Sequence, residues 1–193
     1  MNIHAIGQNM LFGKVGHFLI ILSFVTSLAA SIAYFFATIN RNDTSKSFPW
    51  INLGRKMFVL HAVAVLGIMI CLLMVIHSHF FEYKYVWEHT SKSLPIYYQF
   101  SAMWSGQEGS TLLWMFWHGV LGCVLIFKAK NWESPVLSIV ALAQVLLGSM
   151  LLGIYVLGYK FGSSPFALMR DTMEIPVFKM NPDWVPEDGS GLN

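Results

Sequence analysis

The sequence predicts an all-α integral membrane protein, with four transmembrane helices, a periplasmic interfacial helix and an extended C-terminal tail. Three observations carry that prediction. The 193 residues are 55% hydrophobic and only 11% charged, where a soluble domain averages about 25% charged. Four windows hold no Asp, Glu, Lys or Arg: residues 15–40, 57–81, 109–127 and 134–159. Each approaches or exceeds the roughly 20 residues that cross about 30 Å of hydrocarbon. The last stretch, 160–193, holds Pro165, Pro176, Pro182, Pro186, Gly189 and Gly191 and no long apolar run, so it reads as a tail. A soluble enzyme is excluded, and residues 1–159 form the expected transmembrane region around a loop at 82–108.

The first span is not a secretory signal. Its uncharged run is longer than the roughly 7–15 residues of a signal core, only Lys14 stands just before it, and three more spans follow. Ser27 and Ser31 on this span, and Ser149 and Gly153 on the fourth, have the four-residue spacing that lets helix backbones approach closely in lipid. Cys71 and Cys123 both lie inside spans and form neither a CxxC nor a CxxCH motif, which makes them small buried hydrophobes. A net charge of +2 gives no reason to expect a nucleic acid partner.

Orientation follows from the short loops. Arg41, Lys46, Arg55 and Lys56 precede span two, and Lys128 and Lys130 precede span four, opposed only by Asp43 and Glu133. The positive-inside rule assigns these loops to the cytoplasm. Both termini and the 82–108 loop are then expected in the periplasm of a bacterial inner membrane.

That outer loop is where the sequence is unusual. Phe80, Phe81, Tyr83, Tyr85, Trp87, Tyr97, Tyr98, Phe100 and Trp104 crowd it, with Trp114 and Trp117 just inside span three. Interfacial anchoring explains many of them. Ser93-Leu94-Pro95 reads as a helix start with Ser93 as N-cap, and Ile96, Phe100 and Met103 recur as the stripe of a helix on the membrane surface. This helix is expected to run through Trp104-Ser105-Gly106-Gln107-Glu108-Gly109-Ser110 directly into span three. Glycines permit close backbone approach there, and a carboxylate at that depth needs a partner or water.

Histidines read two ways. His17, His61 and His118 lie in or beside spans one, two and three. They are either neutral groups bonded to a neighbouring helix or axial ligands of a haem iron. His77 and His79 sit beside Glu82 as an interfacial pair or a weak metal site lacking a third ligand.

The block Trp104-x-Gly106-x-Glu108-Gly109-Ser110-x-Leu112-Leu113-Trp114, preceded by Leu94-Pro95-x-Tyr97-Tyr98, resembles the amino-terminal part of the CcmF/CcsA cytochrome c assembly family. Gly16-His17-Phe18 looks like the family's opening, Ser164-Pro165-Phe166 like its Asn-Pro-Phe, and Gly191-Leu192-Asn193 like its Leu-Asn segment. Tyr85-Val86-Trp87-Glu88-His89, together with Gly106-Gln107-Glu108-Gly109-Ser110, is most similar to a Bacteroidetes branch. Gln107 departs from the His of many members, and Ser164 from the Asn. The family's tryptophan-rich WWD segment and its haem-ligand histidines have no counterpart in these 193 residues.

The resemblance implies a membrane haem lyase that adds the thiols of apocytochrome c across haem vinyl groups on the outer face. It implies haem b in the full-length protein, with this chain an N-terminal part that binds none confidently and is not active alone. Expected partners are the WWD-bearing remainder, apocytochrome c, haem-delivery components and membrane lipid. Trp104 and Glu108 would form a wall of the outer haem and apocytochrome site, supported by Gly106, Gly109, Ser110 and Trp114, with no catalytic or metal-ligating residue in this stretch. Two alternatives remain: a b-type electron-transfer cytochrome using intramembrane histidines, and a scaffold subunit of a split lyase.

Overall fold

The computed structural model describes residues 10–156, 158–173, 176, 181 and 184–191; Pro182, Leu192 and Asn193 lie outside them. Four long helices dominate: α1 (Met10–Ile39), α2 (Thr44–His77), α5 (Gln107–Lys128) and α6 (Glu133–Leu152). All four are long and apolar enough to cross a membrane. Two short helices, α3 (Lys84–His89) and α4 (Ile96–Ala102), lie between α2 and α5. A strand pair, β1 (Ile154–Val156) and β2 (Tyr159–Phe161), and the short α7 (Met169–Thr172) follow α6.

The helices form a four-membered ring in which α1 packs on α2 and α6, and α5 packs on α2 and α6. One apolar cluster, with Ile20, Ile68, Leu72, Tyr83, Leu112 and Phe166, fills the end that carries α3 and α4. A smaller one, with Tyr34, Phe58, Ile126 and Leu137, fills the opposite end. Between them a polar layer crosses the bundle. His61, fully buried, meets the Ser23 hydroxyl and carbonyl at 3.0 Å, and the buried Gln144 amide donates to Met115 O at 3.3 Å.

Helix α2 begins 13 residues before the uncharged window at 57–81. Asp43 accepts from the backbone N–H groups of Ser45 and Lys46 at 3.1 and 3.4 Å, an N-cap that starts the helix well ahead of its apolar part. From residue 57 to His77 the helix rises about 31 Å, close to the hydrocarbon thickness, which leaves Arg55 and Lys56 at its boundary. Arg55 spans to Glu133 at the head of α6 with two bonds of 2.6 Å, and Tyr34 donates to the same carboxylate at 3.4 Å.

Helix α6 stops short of the last window's edge at 159. Gly153 takes φ 67° and ends it, and β1 and β2 beyond it pair antiparallel. An uncharged run alone does not distinguish helix from strand. Gly153 thus terminates the helix, and Gly148, just over one turn earlier, faces Phe24 and Met115. Ser31 does mark a helix contact, donating to Ser138 O on α6 at 3.3 Å.

The tail is folded back on the bundle. Tyr83 and Leu168 form a bridge, the Lys84 N–H donates to Ala167 O and the Met169 N–H to Glu82 O. Phe166 is buried against Gly16 of α1, and Tyr83 against Gly13. Residues 188–191 then cross α3: the Ser190 N–H donates to Trp87 O at 2.8 Å and Asp188 accepts from the Lys92 N–H at 2.7 Å.

Candidate functional site

The segment joining α4 to α5 is not the continuous helix the sequence predicts. Helix α4 ends at Ala102, residues 103–105 turn, and Gly106 is the N-cap of α5. Ser93 does not cap α4 either; its hydroxyl pairs with Ser91, and α4 starts behind Pro95. The expected stripe also divides. Ile96 and Phe100 are half exposed, whereas Met103 is buried. Tyr97 and Tyr98 are exposed too, so the short helix presents most of its aromatics outward.

The turn is held from below by Tyr85 of α3. Its ring is 3% exposed, and its hydroxyl lies 3.0 Å from Ala102 O and 2.8 Å from Met103 O. The hydroxyl oxygen accepts the Gly106 N–H at 3.3 Å. His89 stacks on the Tyr85 ring with centroids 4.4 Å apart and, through Nδ1–H, donates to Tyr85 O at 2.9 Å. The phenol is pushed up to about 12, chiefly because burial penalises the phenolate. The hydroxyl therefore keeps its proton, and its donor role, well above neutrality.

Both glycines of the motif are explained by this ring. A Cβ on Gly106 would stand 2.8 Å from His89 Nε2 and from Tyr85 Cε2, and one on Gly109 would collide with Met103 O and the Tyr85 hydroxyl. Close approach at these glycines is thus to Tyr85 and His89 of the same chain.

The other motif residues point in different directions. Trp104 is 40% exposed, and its carbonyl accepts the Ser110 hydroxyl at 2.9 Å across the turn. Trp114, about one and two-thirds turns of helix beyond Glu108, is 64% exposed on another face of α5. Glu108 turns toward the tail, where it accepts the Ser163 hydroxyl. It lines a polar cavity of about 360 Å³ with Lys84, Tyr85, Glu88, Ser163 and Asp171. The structure brings Gly106, Gly109, Ser110 and Trp104 into one turn, and it sets Glu108 and Trp114 apart from each other.

Four of the five histidines of the sequence reading have a described setting, and the fifth, His118 on α5, has its Nδ1 buried with no hydrogen-bond partner. His77 Nδ1 lies 3.2 Å from Gln99 Oε1, and His79 Nε2 lies 3.5 Å from Gln99 Nε2, so the pair meets α4 through one buried glutamine. His61 is held by Ser23, while His17 sits exposed on α1 beside Lys14 and Phe18. Cys71 and Cys123 are free thiols. Tyr85, His89 and Ser163 are the site residues that motif reading missed. A pair of glycines three residues apart is the sequence signal that some bulky ring must lie against them.

No family model matches the chain. A cytochrome c-type biogenesis protein CcmF of Haemophilus influenzae is 33% identical over 115 residues, covering 58% of this chain and 15% of that protein. A CcmF of Pseudomonas fluorescens is 32% identical over 143 residues, covering 72% and 18%. Among solved structures, a cytochrome c haem lyase CcmF superposes with TM-score 0.66 and 19% identity over 78% of this chain and 25% of that one. The chain spans less than a fifth of the length of these two curated relatives. It is a multi-pass membrane protein homologous over part of its length to the CcmF cytochrome c-type biogenesis proteins.

Proposed function

We propose that this chain forms part of the membrane machinery that attaches haem to apocytochrome c, supplying one wall of the outer-face site. The carrying observation is the clasped turn at 103–106, which holds Trp104 outward beside the exposed rings of α4. An aromatic surface at a membrane interface suits a flat apolar ring or an apocytochrome segment. The positive-inside count orients this face to the periplasm of a bacterial inner membrane.

Among the described residues, His61 is buried on Ser23, His77 and His79 meet Gln99, and the Nε2 of His89 lies against Gly106. His77, His79 and His89 are engaged within the chain, whereas His61 keeps its Nε2 and His118 its Nδ1 buried without a hydrogen-bond partner, so no step of the chemistry is assigned to these histidines. A Bacteroidetes-like branch rests on residues 85–89 and 106–110 alone, since the relatives above come from other bacteria.

The experiment is cytochrome c maturation in cells carrying the protein as it occurs, with Trp104→Ala or Glu108→Ala. Haem-stained c-type cytochromes should fall severalfold while the protein remains in the membrane. Unchanged staining in both variants would refute the proposal.

A further inference from the structure

We infer that Tyr85 is a positioning residue whose hydroxyl sets the turn between α4 and α5, and through it the placement of Trp104 and Glu108. The inference rests on the proposed outer-face site and deepens it.

Two helix ends meet within four residues here, and each leaves backbone groups without intrahelical partners. Neither α4 nor α5 begins with a side-chain cap. Tyr85 supplies partners from a third helix, adding to the Ser105 N–H and hydroxyl that already meet Ala102 O. Its O–H is shared between the carbonyls of Ala102 and Met103, which close α4, and its oxygen takes the Gly106 N–H that opens α5. A single buried atom thereby couples the end of one helix to the start of the next.

The ring carrying that atom is itself immobilised. His89 lies flat on one side and returns a hydrogen bond to the Tyr85 carbonyl, so α3 fixes the ring's height and tilt. Gly106 and Gly109 press on the ring without Cβ atoms to hold it away. Tyr85 also shares the polar cavity wall with Glu108 and Ser163. Losing the hydroxyl would take this partner from the Met103 carbonyl and the Gly106 N–H, the Ala102 carbonyl still accepting from the Ser105 N–H and hydroxyl, while the ring still fills its place. The turn should then open more often, releasing Trp104 on one side and Glu108 on the other.

The test separates local opening from folding and from activity. In a Cys71→Ser, Cys123→Ser background, Ala102→Cys places a thiol at a position that is fully buried in the closed turn. Its maleimide labelling in native membranes should rise about tenfold with Tyr85→Phe, the scale expected for losing one to two buried hydrogen bonds. The unfolding temperature should move far less than with Tyr85→Ala. Gly106→Ala, which pushes on the same ring with the hydroxyl intact, should raise labelling as well. Holocytochrome c should fall with Tyr85→Phe in the otherwise native protein.

Unchanged labelling in both Tyr85→Phe and Gly106→Ala would overturn the inference. So would raised labelling with normal maturation in Tyr85→Phe, in a strain where Trp104→Ala abolishes maturation. If Trp104→Ala and Glu108→Ala are both harmless, the functional proposal fails instead, and the labelling ratio still decides whether Tyr85 positions the turn.

Discussion

Arg55 on α2 and Glu133 at the head of α6 form a two-pronged ion pair, with both nitrogen–oxygen distances 2.6 Å. The Glu133 side chain is 5% exposed, whereas that of Arg55 is 43% exposed and keeps part of its hydration. The pair ties the ring of helices together at the end opposite the aromatic loop. It also explains why an acidic residue interrupts an otherwise basic set of short loops. Arg55→Ala strands the carboxylate in a buried place. We predict a loss of about 2–4 kcal/mol, somewhat under the usual cost of breaking a fully buried pair because Arg55 is part-solvated. Thermal unfolding in detergent measures it, and Glu133→Gln together with Arg55→Met should recover much of the loss.

Two glycines on α5 should respond with opposite signs. A Cβ on Gly122 would run into the Phe58 ring, so Gly122→Ala should destabilise by about 1–3 kcal/mol. A Cβ on Gly119 would stand 3.5 Å from Ala62 Cβ, an ordinary contact. Gly119→Ala should be neutral or gain up to about 1 kcal/mol from helix propensity. Equal losses for both would contradict the helix packing described here.

The clasp should fail in alkali. Tyr85 titrates at about 12, above the ordinary value near 10, because burial disfavours its charged form. A group raised in this way contributes its stability in full below about pH 10 and loses it as pH climbs toward 12. Phenolate absorbance near 295 nm should show one late-ionising tyrosine fewer in Tyr85→Phe than in the parent. The Ala102→Cys probe should open over the same pH interval.

Much of the architecture was legible in the sequence because charge is so unevenly spread. A carboxylate or ammonium inside hydrocarbon is costly, so uncharged windows report spans directly. The same windows misjudge ends. They place the start of α2 at 57 because Arg55 and Lys56 interrupt the run, while the helix continues back to the Asp43 cap. They carry the fourth span to 159 because β1 and β2 are uncharged up to Lys160, although Gly153 has already ended the helix. In the site, the glycines of the motif flagged a close approach, and Trp104 an exposed ring. What approaches the glycines was hidden, since Tyr85 lies about 20 residues earlier and only the packing of α3 under the turn brings it there. Glu108 required a partner, and that partner, Ser163, comes from a tail segment whose fold no periodicity reveals.

Orientation has its own test. Asn42 and Ser93 are exposed at opposite ends of the bundle. With the native cysteines replaced, an impermeant thiol reagent added to spheroplasts should label Ser93→Cys and leave Asn42→Cys unlabelled until the cells are lysed. The reverse pattern would put the aromatic loop in the cytoplasm and remove the outer-face proposal.

The most direct measurement of the central claim is haem-stained cytochrome c in a strain whose copy of this gene is deleted and then restored. The account predicts that the native gene restores c-type cytochromes and that Trp104→Ala restores severalfold less at equal membrane abundance. Full restoration by Trp104→Ala and by Glu108→Ala, or undiminished cytochrome c in the deletion itself, would contradict it.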